Sequence, residues 1–301
     1  MANKINLLDI DLKLKNNIIN WGIFITLALV WGSSFKLMKI GMIELTSYQV
    51  ASLRILSAGL IFLPVTVKNI HKYNKNQILL IVFSGLMGNF IPSYLFCIAE
   101  TNIDSSLAGM INSLMPTFVV LIGLLFFNIK VSRIKIFGII ISFIGLCFLL
   151  ISKVNMNPSS FFYVFLAILA TVFYAVNSNL IVKTLKNIKS LEIISIAMSL
   201  LAIPALLVLI STNYFNQLSL NQNFLISTGA SIFLGIFGTA LASGVFYVLI
   251  KRTGSIFASS VTNIMPIVAI FWGFLGGENL TLLQIFYFFI IMSGVYLTSK
   301  K

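Results

Sequence analysis

Four amides, Asn89, Asn112, Asn177 and Asn263, stand inside long apolar stretches of the chain, and three cations, Lys36, Lys39 and Arg54, lie in or at the edge of such stretches. In hydrocarbon an amide has no water to bond, and a cation costs around 2.5–3.5 kcal/mol on insertion scales. Such groups therefore turn inward, find partners or border a polar path. What they offer is recognition rather than bond-making. An amide both donates and accepts hydrogen bonds, and a guanidinium presents a fork that fits a carboxylate or phosphate. Their neighbours recur at helical intervals. Ser105, Gly109, Asn112 and Pro116 share one helical face, as do Ser259, Thr262, Asn263 and Pro266. Gly85, Asn89 and Pro92 are answered by Gly235, Thr239 and Ala242, and Tyr174, Asn177 and Ser178 add another set.

Two readings of these faces compete. Small and hydroxyl residues let helices pack closely, which suffices for Gly and Ser. For the amides a substrate pathway is favoured, because an amide is expensive as packing material. The expected pathway residues are Asn89, Tyr94, Asn112, Tyr174, Asn177, Tyr247, Thr262 and Asn263. Tyr94 and Tyr247 also fit the ordinary role of interfacial anchors. Pro116 and Pro266 are expected to loosen their helices where bending is useful. Lys39 is expected to snorkel to the outer interface, while Lys36 either does the same or lines an outer vestibule. Arg54 is expected to pair with Glu44 or Glu100, ahead of the alternative of meeting an anionic substrate group.

Other chemistries lack their residues. There is no Gly-x-x-x-x-Gly-Lys-Ser/Thr loop, and the one histidine, His71, lies among lysines in a gap. No carboxylate is read deep in an apolar stretch. An ATPase, a Ser-His-Asp enzyme, a metal centre and a bound cofactor are therefore not expected.

The elements that must position these residues are ten apolar stretches, near 21–40, 48–67, 77–98, 105–127, 134–152, 160–182, 191–211, 226–250, 255–275 and 282–299. Each is near the length of roughly 20 residues that a helix needs to cross a bilayer. They are continuously apolar, without the alternation of barrel strands, so the expected class is an all-α integral membrane protein. The composition agrees, with 59% hydrophobic and 9% charged residues. Sixteen of the 20 Lys and Arg fall in every second gap. They cluster at Lys4, Lys13 and Lys15, at Lys68, Lys72 and Lys75, and at Lys130, Arg133 and Lys135. Further groups are Lys183, Lys186 and Lys189, then Lys251 and Arg252, then Lys300 and Lys301. The basic side is cytoplasmic, so both termini are expected there. This distribution ascribes the net charge of +13 to membrane topology and argues against nucleic acid as a partner. The partners expected are the lipid bilayer and a small-molecule substrate. Lipid-facing and subunit-facing apolar surfaces have the same composition, so the residues specify no oligomeric state. Cys97 and Cys147 lie within stretches and imply no disulfide. Residues 1–19 read as a cytoplasmic segment with a short interfacial helix rather than a cleaved leader.

The chain also repeats itself. A shift of 150 positions over 85–123 gives nine identities in 39 positions without a gap, including Gly85/Gly235, Ser93/Ser243, Ser105/Ser255 and Met115-Pro116/Met265-Pro266. Two five-helix repeats, 20–152 and 160–299, are expected. An odd number of spans per repeat forces the second to insert upside down. Inverted repeats suit alternating access to a midplane site, which favours a transporter over an enzyme or receptor.

Certain residues resemble those of a known family, the EamA-type transporters of the drug/metabolite transporter superfamily. Trp31-Gly32-Ser33-Ser34-Phe35 with Lys39 is similar to that family's opening motif, Arg54 to its arginine in the second helix, and Pro116 and Pro266 to the proline in the fourth helix of each repeat. Glu278-Asn279-Leu280 with Gln284 and Gly294 is similar to the closing pattern. Asn128 stands where the first repeat's Glu is expected, Lys36 is an extra charge, and Tyr174 is nearest to a tryptophan role in span six. The resemblance implies a central cavity built mainly by helices one, three, four, six, eight and nine, and movement of small metabolites, often amino acids or relatives, frequently outward. Glu278 is expected to serve as a structural cap or loop contact, ahead of the alternative of a coupling residue. The function expected is export of small polar, amino-acid-like metabolites. Its alternatives are import or exchange of a nucleotide-like metabolite such as S-adenosylmethionine, and a non-transporting scaffold or sensor.

Overall fold

The structure is a computed structural model and describes residues 7–128, 131–153, 158–218, 220–278 and 281–299. It is all-α among the described residues, with nine helical stretches long and apolar enough to cross a membrane. These are α1 (Lys15–Gly41), α2 (Ser47–Lys72), α3 (Lys75–Ala99), α4 (Ser105–Phe126), α5 (Arg133–Ser152), α6 (Phe161–Lys183), α7 (Ser190–Ser211), α8 (Gln222–Thr253) and α9 (Ser255–Leu275). A shorter apolar helix, α10 (Leu282–Thr298), follows. The chain is thus a multi-pass integral membrane protein. The short interfacial helix expected before α1 is not separate: one uninterrupted helix runs Leu7–Gly41. Asn279, Leu280 and Lys130 lie outside the described residues.

Local signals start the helices. Thr46 with Gln49 and Asn74 with Gln77 form capping boxes ahead of α2 and α3, each satisfying two otherwise unpaired donors. Four spans are interrupted, at positions that recur after about 150 residues. A π-helical turn, Leu86–Phe90, breaks α3, and another, Leu234–Leu241, breaks α8. In α4 the helix stops at Asn112 and restarts at Met115, and in α9 a 3₁₀ turn, Ser260–Asn263, precedes a restart at Met265. Pro116 and Pro266 occupy the first turn of each restart, where the N–H that proline lacks would have no helical partner. They begin new helical segments instead of kinking a continuous one.

Contacts between loops sort the gaps into two ends. At one end Arg252 donates to Asn16 and Asn20 at 2.9 and 2.7 Å, Lys251 bonds the Ile188 carbonyl, and Tyr73 donates to Glu192. Lys72 pairs with the same Glu192 at 3.5 Å. At the other end Gln49 meets Thr212 O at 3.1 Å, Lys39 meets Glu100 O at 2.5 Å, and Glu278 reaches the start of α4. The basic gaps around Lys72, Lys189 and Lys251 thereby gather at one end of the bundle, with Asn16 and Asn20 of α1. Two helix pairs flank the assembly, α2 with α7 and α5 with α10. In the second pair a Cβ on Gly138 would lie 2.6 Å from Gly294 O, so glycine alone permits that approach.

Candidate functional site

The six remaining helices, α1, α3, α4, α6, α8 and α9, meet around a central cavity of about 50 Å³. These are the helices the family resemblance implied. Three of them are interrupted beside it: Gly88 and Asn89 come from the π turn of α3, Asn112 and Met115 flank the break in α4, and Thr262 and Met265 flank the break in α9. π turns and helix breaks shift side chains out of the regular stagger, which lets amides point inward. Helix α1 contributes Trp31, Ser34, Phe35 and Met38, α6 contributes Tyr174 and Asn177, and α8 contributes Ser243, Phe246 and Tyr247. Arg54 enters from α2.

A hydrogen-bonded network closes the cavity towards the basic end. The Tyr247 hydroxyl accepts from Asn177 Nδ2 at 3.0 Å and from Asn89 Nδ2 at 3.3 Å. Ser84 donates to Asn177 Oδ1 at 2.5 Å and Ser243 to Asn89 Oδ1 at 2.9 Å, so α3, α6 and α8 are tied through fully buried groups. A side chain at position 88 would collide with the Asn177 amide, which is why only glycine fits there. Towards the opposite end Arg54 is 6% exposed and donates from Nε to Thr239 Oγ1 at 2.5 Å. Trp31 Nε1 donates to the Gly238 carbonyl at 2.8 Å, the backbone group freed by the π turn in α8.

Of the expected pathway residues, Asn89, Asn112, Tyr174, Asn177, Tyr247 and Thr262 line this cavity together with Arg54. Tyr94 and Asn263 do not. Tyr94 bonds Ser52 at 2.7 Å between α3 and α2, and Asn263 lies in the 3₁₀ turn with Oδ1 unpartnered. A helical wheel puts Asn263 beside Thr262, but the tight 3₁₀ turn rotates it away. The pairing of Arg54 with Glu44 or Glu100 is overturned. Glu44 is exposed, Glu100 is held by Ser105 at 3.4 Å, and neither forms an ion pair with the guanidinium. Lys39 does not snorkel free, since its ammonium bonds the Glu100 carbonyl. Lys36 Nζ reaches Gly276, at the carbonyl end of α9, where a cation is favoured by the helix dipole.

Several contributors carried no strong sequence signal. Ser84 and Ser243 look like packing residues until their amide partners are seen, and Met38, Met115 and Met265 read as core. Glu278 accepts from the backbone N–H of Ser105 and Ser106 at 3.0 and 3.1 Å, capping α4 from the far half of the chain. No group of three or more metal-binding side chains occurs among the described residues.

Comparison with known proteins agrees with this architecture. The EamA-like transporter family matches residues 20–151 and 161–300. The chain is 26% identical over 285 residues to an uncharacterized transporter of Archaeoglobus fulgidus, covering 93% of this chain and 99% of that protein. It is 24% identical over 295 residues to the uncharacterized inner membrane transporter YedA of Escherichia coli K12, covering 93% of each. It is 22% identical over 282 residues to a probable amino-acid metabolite efflux pump of Salmonella typhimurium, covering 89% of this chain and 90% of that one. A solved crystal structure shares the fold with a TM-score of 0.65 at 14% identity, over 93% of this chain and 96% of that one. With the family matched across both halves and a cavity holding buried amides at their meeting, the chain belongs to the EamA-like transporter family and is a membrane transporter.

Proposed function

We propose that the protein is a secondary carrier that exports small polar, amino-acid-like metabolites across the cytoplasmic membrane by alternating access. Its two repeats are related by inversion, and both termini are cytoplasmic. The observation that carries this reading is the cavity itself, bordered by six helices drawn equally from both halves and lined by aromatic and methionine side chains together with amides, hydroxyls and one guanidinium. A packed scaffold has no use for such a void. The recurrence of helix breaks after about 150 residues supports the repeat, and the gathering of basic gaps at one end supports the orientation. The Salmonella relative, a probable amino-acid metabolite efflux pump, supports the substrate class and the direction.

The test is flux in proteoliposomes across a metabolite panel, with Asn112→Leu and Thr262→Val as variants. Each substitution is expected to lower flux at least fivefold for whichever compound is moved, and counterflow with labelled compound distinguishes exchange from net export. Undiminished flux in both variants would remove the cavity from the route.

A further inference from the structure

We infer that Glu100 is a proton site coupled to a latch formed by Glu278, at the end of the bundle opposite the basic gaps. Glu278 caps α4 from the far half while Glu100 stands neutral behind it. When the halves part there, Glu100 gives up its proton and takes over the cap. This inference rests on the carrier reading, in which that end faces outward and opens.

The start of α4 is a place for one carboxylate. Its first N–H groups have no helical partner, and the helix dipole favours a negative group beside them. Glu278 fills that place from the second half, accepting from Ser105 N at 3.0 Å and Ser106 N at 3.1 Å. It is tied to the end of α9. Its own N–H bonds the Gly273 carbonyl at 2.9 Å, Gly277 turns the chain at φ +82°, and a Cβ on Gly273 would lie 2.6 Å from Glu278 Oε2. A movement of the end of α9 therefore carries this carboxylate with it.

Glu100 is the second candidate for the same place, and it comes from the first half. It closes α3, five residues ahead of Ser105, with Oε2 3.4 Å from the Ser105 hydroxyl. Its Oε1 has no partner and the residue is 0% exposed. The Ser106 hydroxyl in the same turn is also buried without a partner, so the present cap leaves bonds unmade. A bare carboxylate held dry beside a second one is far costlier than a neutral carboxyl. The groups facing Glu100 are Lys39 from α1, Arg54 from α2, Cys97 from its own helix and Glu278 across the halves, and Asp104 stands in the same gap at the α4 cap position. Burial outweighs the two cations and keeps the proton on, and the Glu278 charge adds to the effect. Water reaching Glu100 as Glu278 withdraws removes both causes, and the vacated N–H groups then favour the ionised form. Each opening releases one proton and each reclosing takes one back on the same side. The site therefore responds to outside pH and carries no proton across.

The experiment places nitroxide labels at Asn102→Cys and Leu282→Cys, exposed positions on opposite halves beside the latch, in the full chain with Cys147→Ala in nanodiscs. Cys97 is buried and stays. Double electron–electron resonance is read across a pH series. The long distance of the parted halves is expected to gain on the short one as pH rises, by up to about tenfold per unit, because one proton is released. Glu100→Gln preserves the neutral form and is expected to hold the short distance at every pH. Glu278→Gln weakens the cap and is expected to populate the long distance from a lower pH than in the unaltered protein. The infrared band of the protonated carboxyl in the unaltered protein is expected to fade along the same pH curve, which decides the question should Glu100→Gln fail to fold. An unchanged pH curve in Glu100→Gln, or a carboxyl band that persists while the halves part, overturns the proton site and leaves the carrier reading standing. A single distance at every pH in all three proteins overturns the latch, and flux across the metabolite panel then decides separately on the carrier reading.

Discussion

A carboxyl in a gap between two spans is ordinarily solvated, and Glu100 is not. It is 0% exposed, with one oxygen near Ser105 and the other unpartnered, at the point where Lys39 ties the end of α1 to its own carbonyl. Burial pushes its carboxyl well above the ordinary carboxylate range. Lys39, Arg54 and the Ser105 hydroxyl pull the other way, and the Glu278 charge adds to the rise. The folded protein therefore keeps a proton that the unfolded chain has already released, in the window between the ordinary and the raised value. Stability is full below that window and falls as pH rises through it. Thermal melting in detergent should show this decline for the unaltered protein, and Glu100→Gln should flatten it. Parallel melting curves for the two proteins across mildly acid to alkaline pH would mean that Glu100 does not hold the proton.

Elements in this bundle follow two packing rules. The outlying α5 and α10 meet through glycine, Gly138 against Gly294 with Gly145 against Ile291, because lipid supplies no hydrophobic drive and close backbone approach must replace it. The cavity helices do the opposite and are broken where they meet, so that backbone and amide groups face inward. A Gly138→Leu substitution should push α5 from α10 at a cost of about 1–3 kcal/mol. The checking measurement is a lowered melting temperature alongside unchanged apparent affinity for substrate, because the pair stands outside the cavity. A variant as stable as the parent would show that the two helices can separate without loss.

At the scale of the molecule, a cavity of about 50 Å³ holds a handful of waters and is well short of the roughly 300 Å³ at which ligand pockets begin. Contacts tie the helices together at both ends, through the Tyr247 network on the basic side and through Arg54, Lys39 and Glu278 on the other. Transport requires each closure to open in turn, and the carrier reading requires an even number of crossings. Reporters fused ahead of Met1 and after Lys301 are both expected on the cytoplasmic side, read as fluorescence of a cytosol-only reporter and silence of an exported one. A tail reporter active outside would leave an odd number of spans and remove the inverted symmetry.

The sequence alone determined that the chain crosses the membrane repeatedly, because twenty apolar residues in a row have few other stable fates, and it exposed the repeat, because Gly, Ser and Pro recur in register. Much of the cavity lining could be read as well, since an amide in hydrocarbon must be accounted for. Only the tertiary structure decided which polar groups are satisfied and which are free. Asn177 and Asn112 look alike along the chain; one is consumed by Ser84 and Tyr247, the other faces an unfilled space. Likewise Arg54 reads as a candidate for pairing with the nearest acids in sequence, yet Glu44 stays at the surface and Glu100 is engaged elsewhere. Hydrogen-bond valence is settled by neighbours distant in sequence, and a linear pattern carries no record of them.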